Sequence, residues 1–435
     1  MNKKRVISII LLLIWMLMSV SSAIEPMDVT SKASILVDAT DGHDIYSENA
    51  DSKVFPASIT KLMTALVVAE NVDDLSVIVT ANESAFEGLS DAGSSVGIKI
   101  GEEMSADNLL ICLLVASANE AANILAEYVS GSVSAFVELM NTRAAELGLT
   151  GTHFMNPHGL HNEEHYTTAR DVAKIALEVR KHKRLREICS MEMATIPETN
   201  IGKERFFYTT NSLISLYKER GYKYSRANGM KTGSTTPAGL CLVASAEYNG
   251  MELISVVLGA ELDEEGKKGH FIESKRLLVW GFENFKTATL IASSDIVCEV
   301  KVKSAKDRDY VTGHVPENFS VLMPKDFDKT EVELEVLDAD EEIEAPIKKD
   351  DEIGKVVVKY DGREYATLPI VASYNVERST FEFLKNSLAK FFDSTVSRLL
   401  IVAVVILLII IYMVVAMRRK KRRRRRERSR RRYYR

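Results

Sequence analysis

The sequence predicts an α/β (α+β) domain, then a small all-β domain, then one C-terminal transmembrane helix. Three observations carry this. Within residues 24–290, short strand patterns lie at both ends and helical patterns between them, so early and late strands share one sheet. After about Ile291, apolar and charged residues alternate with period two and helical patterns vanish. Leu399–Met417 is an apolar run of 19 residues without a charge. At ~1.5 Å rise per residue it crosses a ~30 Å hydrocarbon layer.

In chain order, Met1–Arg5 is basic and Val6–Val20 is apolar apart from Ser8 and Ser19. Ser21-Ser22-Ala23 then supplies small residues, so 1–23 is expected to be a cleaved signal peptide. The apolar run is short for the alternative, a first transmembrane helix. In the body, Ala33–Asp38 and Asp44–Ser47 read as strands around an Asp41-Gly42 turn. Helical patterns follow at Ile59–Glu70, Ala106–Val115, Glu120–Val129, Val133–Leu147 and Thr168–Lys181, with a short strand at Ser76–Thr80 between the first two. Leu240–Ala246 and Leu253–Gly259 are Val-, Leu- and Ile-rich strands joined through Asn249-Gly250, and Phe271–Phe285 is helical. The β domain, 291–373, has strands at Val297–Val302, Glu331–Leu337 and Lys355–Tyr360. In 374–398, Phe381, Leu384, Leu388, Phe391 and Phe392 recur at helical spacing, an amphipathic helix suited to a membrane surface.

Charge is segregated. The tail, 418–435, holds fourteen Lys/Arg and one Glu, whereas residues 24–398 hold 39 basic and 60 acidic side chains. An acidic body is wrong for binding nucleic acid, so no nucleic-acid partner is expected. A basic flank directly after the apolar run places the tail in the cytoplasm and the body outside, a single-pass cell-membrane protein. Anionic lipid explains the tail without a further partner. Cys112, Cys189, Cys241 and Cys298 lack metal-site spacing, and Cys112 and Cys241 sit in apolar runs as plain core residues. No metal or cofactor is expected.

Three short motifs carry chemistry. Ser58-Ile59-Thr60-Lys61 lies at a predicted helix start, with Ser58 and Lys61 on one face. A hydroxyl attacks only when something takes its proton, and a Lys does so when burial or a second cation lowers its pKa. The Ser-x-x-Lys pattern recurs at Ser215 and Ser387, so alone it says little. Ser117-Ala118-Asn119 lies at a break between helices, where Asn also reads as an ordinary N-cap for Glu120–Val129. Lys231-Thr232-Gly233, followed by Ser234, precedes an apolar strand, where Gly admits a close backbone approach or simply makes a turn.

Together, their order and context resemble the serine penicillin-recognising enzymes. Pro56–Thr64, His153–Leu160, Tyr166–Asp171 and Asn228–Gly233 resemble low-molecular-mass penicillin-binding proteins, the serine-type D-alanyl-D-alanine carboxypeptidases. The resemblance implies a penicillin-binding/β-lactamase-like transpeptidase fold with a helical subdomain. It implies that Ser58 attacks the penultimate D-Ala carbonyl of a peptidoglycan stem pentapeptide and that Lys61 is its base. Ser117 would pass a proton to the leaving amine, and Asn119 would hold substrate and Lys61. Lys231 and Thr232 would meet the terminal carboxylate, Gly233 would line the strand, and backbone N–H groups of Ser58 and Ser234 would form the oxyanion hole. β-Lactams would be covalent inhibitors. Many relatives have Arg where His270 stands, so carboxylate binding is expected either to rest more on Thr232 and Lys231 or to need a protonated His270, which also reads as a plain cap of the Phe271–Phe285 helix. One rival is a β-lactamase on the same fold, but Asn141–Asp171 lacks a Glu-x-x-Leu-Asn pattern. Another is a silent wall-binding scaffold, against which six intact motif residues argue.

Overall fold

The computed structural model describes residues 29–89, 93–338, 340–393 and 395–433. The expected signal segment lies outside them. The chain divides into two units between Thr287 and Ala288, and Leu322–Lys325 belongs to the first.

The first unit is built on an antiparallel sheet of β1 (Ala33–Asp38), β2 (Asp44–Glu48), β7 (Ala227–Thr235), β8 (Gly239–Tyr248) and β9 (Met251–Ala260), in the order β2-β1-β9-β8-β7. Strands from the two ends of this unit therefore pair, as predicted: Ala33 stands opposite Leu258 and Asp38 opposite Leu253. Both faces of the sheet are covered. Ile35 and Val37 enter one core, Leu36 the other. This is why β8 and β9 read as near-continuous apolar runs rather than alternating ones.

One face packs on α7 (Gly269–Asn284) through Phe271, Leu277, Leu278 and Phe282. The other faces a helical lobe: α1 (Lys61–Asn71), α2 (Ala106–Leu114), α3 (Asn119–Ser130), α4 (Val133–Glu146), α5 (Ala169–Lys181) and α6 (Lys183–Cys189). Helix α1 is the centre of this lobe, buried continuously from Lys61 to Val68. Ser105, Ser132 and Thr168 cap α2, α4 and α5 by accepting a backbone N–H three residues on. Two small ribbons complete the unit, β3 (Ile78–Thr80) with β4 (Glu103–Ser105), and β5 (Met193–Ile196) with β6 (Arg205–Tyr208).

After β10 (Phe285–Ile291) the second unit is a sheet of β11 (Cys298–Lys303), β12 (Tyr310–His314), β14 (Glu333–Leu337), β15 (Glu342–Glu344), β16 (Glu352–Tyr360) and β17 (Arg363–Ala372). Its order is β14-β16-β17-β12-β11-β15, and β13 (Phe319–Pro324) pairs with β10 apart from it. Val300 and Val302 are buried while Glu299, Lys301 and Lys303 are exposed, the predicted period of two. Helix α8 (Thr380–Asp393) presents exposed Phe381, Leu384 and Leu388. The side chains of Phe391 and Phe392 are not among those described. Helix α9 (Thr395–Tyr433) contains Arg398–Arg423, whose most apolar 18 residues have a mean hydropathy of 3.5 and none of them buried, long and apolar enough to cross a membrane. All four cysteines are free thiols, and three are buried.

Candidate active site

The segment Ala57–Thr60 is a single 3-10 turn, and α1 begins only at Lys61, two residues later than the sequence pattern suggests. The reason is Ala57, whose φ of 48° is left-handed and rare for a residue with a Cβ. Neighbouring groups hold the turn. Thr60 Oγ1 donates to Ala57 O at 2.8 Å and lies 2.9 Å from His165 Nε2. His165 Nδ1 accepts from Met155 N, so Nε2 carries the proton and donates to Thr60. Gly159 presses on the turn from outside: a Cβ there would stand 1.9 Å from Ala57 O.

This turn leaves Ser58 half-buried and therefore reachable. Lys61, one turn on, is completely buried. Its Nζ lies 2.9 Å from Ser58 Oγ, 2.7 Å from Asn119 Oδ1 and 2.7 Å from the His158 carbonyl. Asn119 is not an N-cap. The cap of α3 is Ala118, without a side-chain bond, and the Asn119 amide oxygen accepts from Lys61 instead.

A second cluster meets the first from β7. Lys231, also completely buried, has its Nζ 3.0 Å from Ser117 Oγ and 2.9 Å from Thr232 O. Ser117 sits at the helix break with φ 66°. Thr232 is half-buried and donates through Oγ1 to Thr210 Oγ1 at 2.5 Å. Gly233 brings β7 against the Ser58 turn: a Cβ there would lie 3.0 Å from Ser58 N, Ile59 N and Pro56 O. Ser234 follows it, exposed, on the same strand. The other Ser-x-x-Lys serine on a described side chain, Ser215, is buried elsewhere and accepts from Tyr217 N.

Burial sets the charges. Removal from water is the main cause that holds Lys61 well below the ordinary lysine range, and Lys231 pushes it the same way. Burial lowers Lys231 to about 7. One ammonium beside one neutral amine is the state this pair favours near neutral pH.

Residues 19–262 match the family model for D-alanyl-D-alanine carboxypeptidase, and 285–378 match that for the C-terminal domain of penicillin-binding protein 5. The chain is 33% identical to D-alanyl-D-alanine carboxypeptidase DacF of Bacillus subtilis, over 88% of this chain and 98% of that protein. It is 34% identical to Escherichia coli DacC, over 82% and 87%. The crystal structure of penicillin-binding protein 5 from Haemophilus influenzae superposes with a TM-score of 0.66 at 31% identity, covering 82% of this chain and all of that one.

The chain belongs to the D-alanyl-D-alanine carboxypeptidase family, the low-molecular-mass penicillin-binding proteins.

Within that family's site, His270 is the position at which the sequence departs from the pattern of many relatives. His270 is on the first turn of α7, buried, with its ring 4.0 Å from that of Phe271 and its Nδ1 without a hydrogen-bond partner among the described residues. Burial, and then Lys268, drive its pKa to about 3. Among the described residues it packs on Phe271, and no hydrogen bond joins it to Lys231 or Thr232. Sequence reasoning missed Thr210, the His158 carbonyl and the His165–Thr60 pair. Only the His153–Leu160 and Tyr166–Asp171 resemblances pointed toward that neighbourhood.

Proposed function

We propose that this protein removes the terminal D-Ala from peptidoglycan stem pentapeptides through an acyl-enzyme on Ser58. The observation that supports this most is the 2.9 Å approach of a fully buried lysine nitrogen to a reachable serine hydroxyl. As a neutral amine, Lys61 has two N–H groups for Asn119 and His158. That leaves its lone pair for the Ser58 O–H. Ser58 Oγ bonds to the penultimate D-Ala carbonyl carbon as its proton passes to Lys61. The oxyanion is met by the backbone N–H groups of Ser58 and Ser234, which Gly233 allows to converge. The proton then travels through Ser117 to the leaving D-Ala amine, and water later releases the acyl group.

On the binding side, Asn119 holds the substrate amide, and Thr232 turns its hydroxyl proton from Thr210 to the terminal carboxylate. Lys231 supplies positive charge to that carboxylate and keeps Lys61 neutral. His270 takes no part. β-Lactams present the same carbonyl and carboxylate, and acylate Ser58. In cellular terms, 1–23 is the signal peptide, 24–290 the peptidase domain, 291–373 the β domain and 374–398 the amphipathic linker. Residues 399–417 span the membrane once, with the peptidase outside and the 418–435 tail on cytoplasmic anionic lipid.

Intact-mass measurement after incubation with benzylpenicillin tests the chemistry. One penicilloyl adduct is expected on the wild type and none on Ser58→Ala, which also loses D-Ala release. An adduct of full yield on Ser58→Ala overturns the assignment.

A further inference from the structure

Beside Asn119 lies a buried carboxylate that stands outside the proton path. Glu120 follows Asn119 on the first turn of α3 and is 3% exposed. Its Oε1 accepts from Ser95 Oγ at 2.6 Å, Val96 N at 2.8 Å and Gly97 N at 3.2 Å. Asn119 adds a fourth bond to the same segment, its N–H donating to Ser94 O at 2.9 Å. Ser94–Gly97 is thus clasped to the residue whose amide oxygen accepts from Lys61 Nζ at 2.7 Å. A cavity of about 280 Å³ opens against the clasp, with Ser94, Ser95, Asn119 and Glu120 in its wall.

Three elements bring charged or titratable groups toward Lys61: β7 with Lys231, the 153–165 loop with His158, and α3 with Glu120. His158 carries no charge near neutral pH, since burial first, and then Lys61, drive its pKa to about 3. Burial, and then Lys231, lower the Lys61 pKa, and Glu120 opposes them. Glu120 has neighbours of its own. On α2 they include Cys112, a thiol that burial and then Glu120 push up to about 12. On β6 stands Arg205, whose guanidinium is engaged with both oxygens of Glu102 at 2.7 Å each. That pair neutralises itself, so the charge of Glu120 stays available to Lys61.

We propose that Glu120 is a positioning residue for the peptidase reaction: it holds the wall segment Ser94–Gly97 against Asn119 and keeps a fixed negative charge beside Lys61. The proposal rests on the peptidase reading above and deepens it. Without that charge the Lys61 ammonium loses a counter-charge, and the lysine gives up its proton at lower pH.

The test uses the full chain and the rate of acylation by benzylpenicillin from pH 5 to 9, read by quenched intact-mass measurement. The acid limb of this profile reports deprotonation of the Lys61–Lys231 pair. Glu120→Gln keeps an acceptor oxygen for the clasp and removes the charge, and its limb is expected about one pH unit below that of the wild type. Glu120→Asp keeps the charge, and its limb is expected to coincide with that of the wild type. Coincident limbs for the wild type and Glu120→Gln overturn the proposal. So does an equal displacement in both variants, or a rate lowered at every pH without displacement, which is what a merely structural role produces. A wild type that forms no adduct at any pH overturns the peptidase reading itself.

Discussion

Lys231 titrates at about 7 in the folded protein, against an ordinary lysine value of 10.5. Between those values the unfolded chain holds a proton that the folded chain lacks. Stability from this residue therefore rises with pH from about 7 to 10.5. Lys61 acts in the same direction. Urea midpoints at pH 7, 8 and 9 should climb more steeply for the wild type than for Lys231→Met. Histidines set the acid side. His158 and His270 are driven to about 3 and His165 to about 4, in each case by burial first. Unfolded, each takes a proton near 6.5, so stability is lost as pH falls from about 6.5 toward 3. His270→Gln should shallow that loss. The pH profile of D-Ala release for His270→Gln should superimpose on that of the wild type between pH 5 and 8, and a divergence near 6.5 would restore a role for His270 at the carboxylate. At this scale the motif residues were legible, because a hydroxyl, two lysines and an amide are informative types at fixed offsets. Thr210 was not. It lies just beyond a short ribbon, and only the fold brings it to Thr232, 22 residues on.

The turn that carries Ser58 is shaped by elements far from it in sequence. Gly159 combines a φ of +86° with a missing Cβ that would strike the Ala57 carbonyl. That neighbour is backbone and cannot swing aside. Gly159→Ala should lower Tm and slow acylation by benzylpenicillin at least about tenfold, because the turn itself must shift. Gly131, at the C-terminus of α3, is the control. Its φ is +76° and a Cβ there would meet nothing within 4 Å, so Gly131→Ala should cost only about 1–2 kcal/mol of stability and spare acylation. Stopped-flow acylation rates on the two variants separate geometry from stability. The main helices were legible from their apolar period, and β8 and β9 from their unbroken Val/Leu/Ile runs. Helix α6 and the ribbon of β5 with β6 escaped notice, since elements of four to seven residues offer too few periods to stand out. The Ala57 kink was invisible for another reason: no sequence rule places alanine in the left-handed region.

For the whole molecule, attachment and catalysis should be separable. A chain ending at Arg398 keeps every catalytic motif and loses the apolar span of α9. It should leave the membrane fraction, or hold it weakly through the exposed face of α8, and still release D-Ala from soluble peptides. Salt-resistant retention of that truncated chain in the membrane pellet would contradict the single-span reading. The order of the catalytic sheet has a further consequence, for how the protein comes into being. Strand β1 can pair with β2 as soon as both exist, but its other edge waits for β9, more than 200 residues later. Loop closure over that separation is slow, and an apolar strand with an open edge is a template for other chains. During synthesis the Ser58 turn therefore exists long before β7 arrives to face it. The nucleophile gains its surroundings, and β1 loses its hazard, at the same late moment, when β9 completes the sheet.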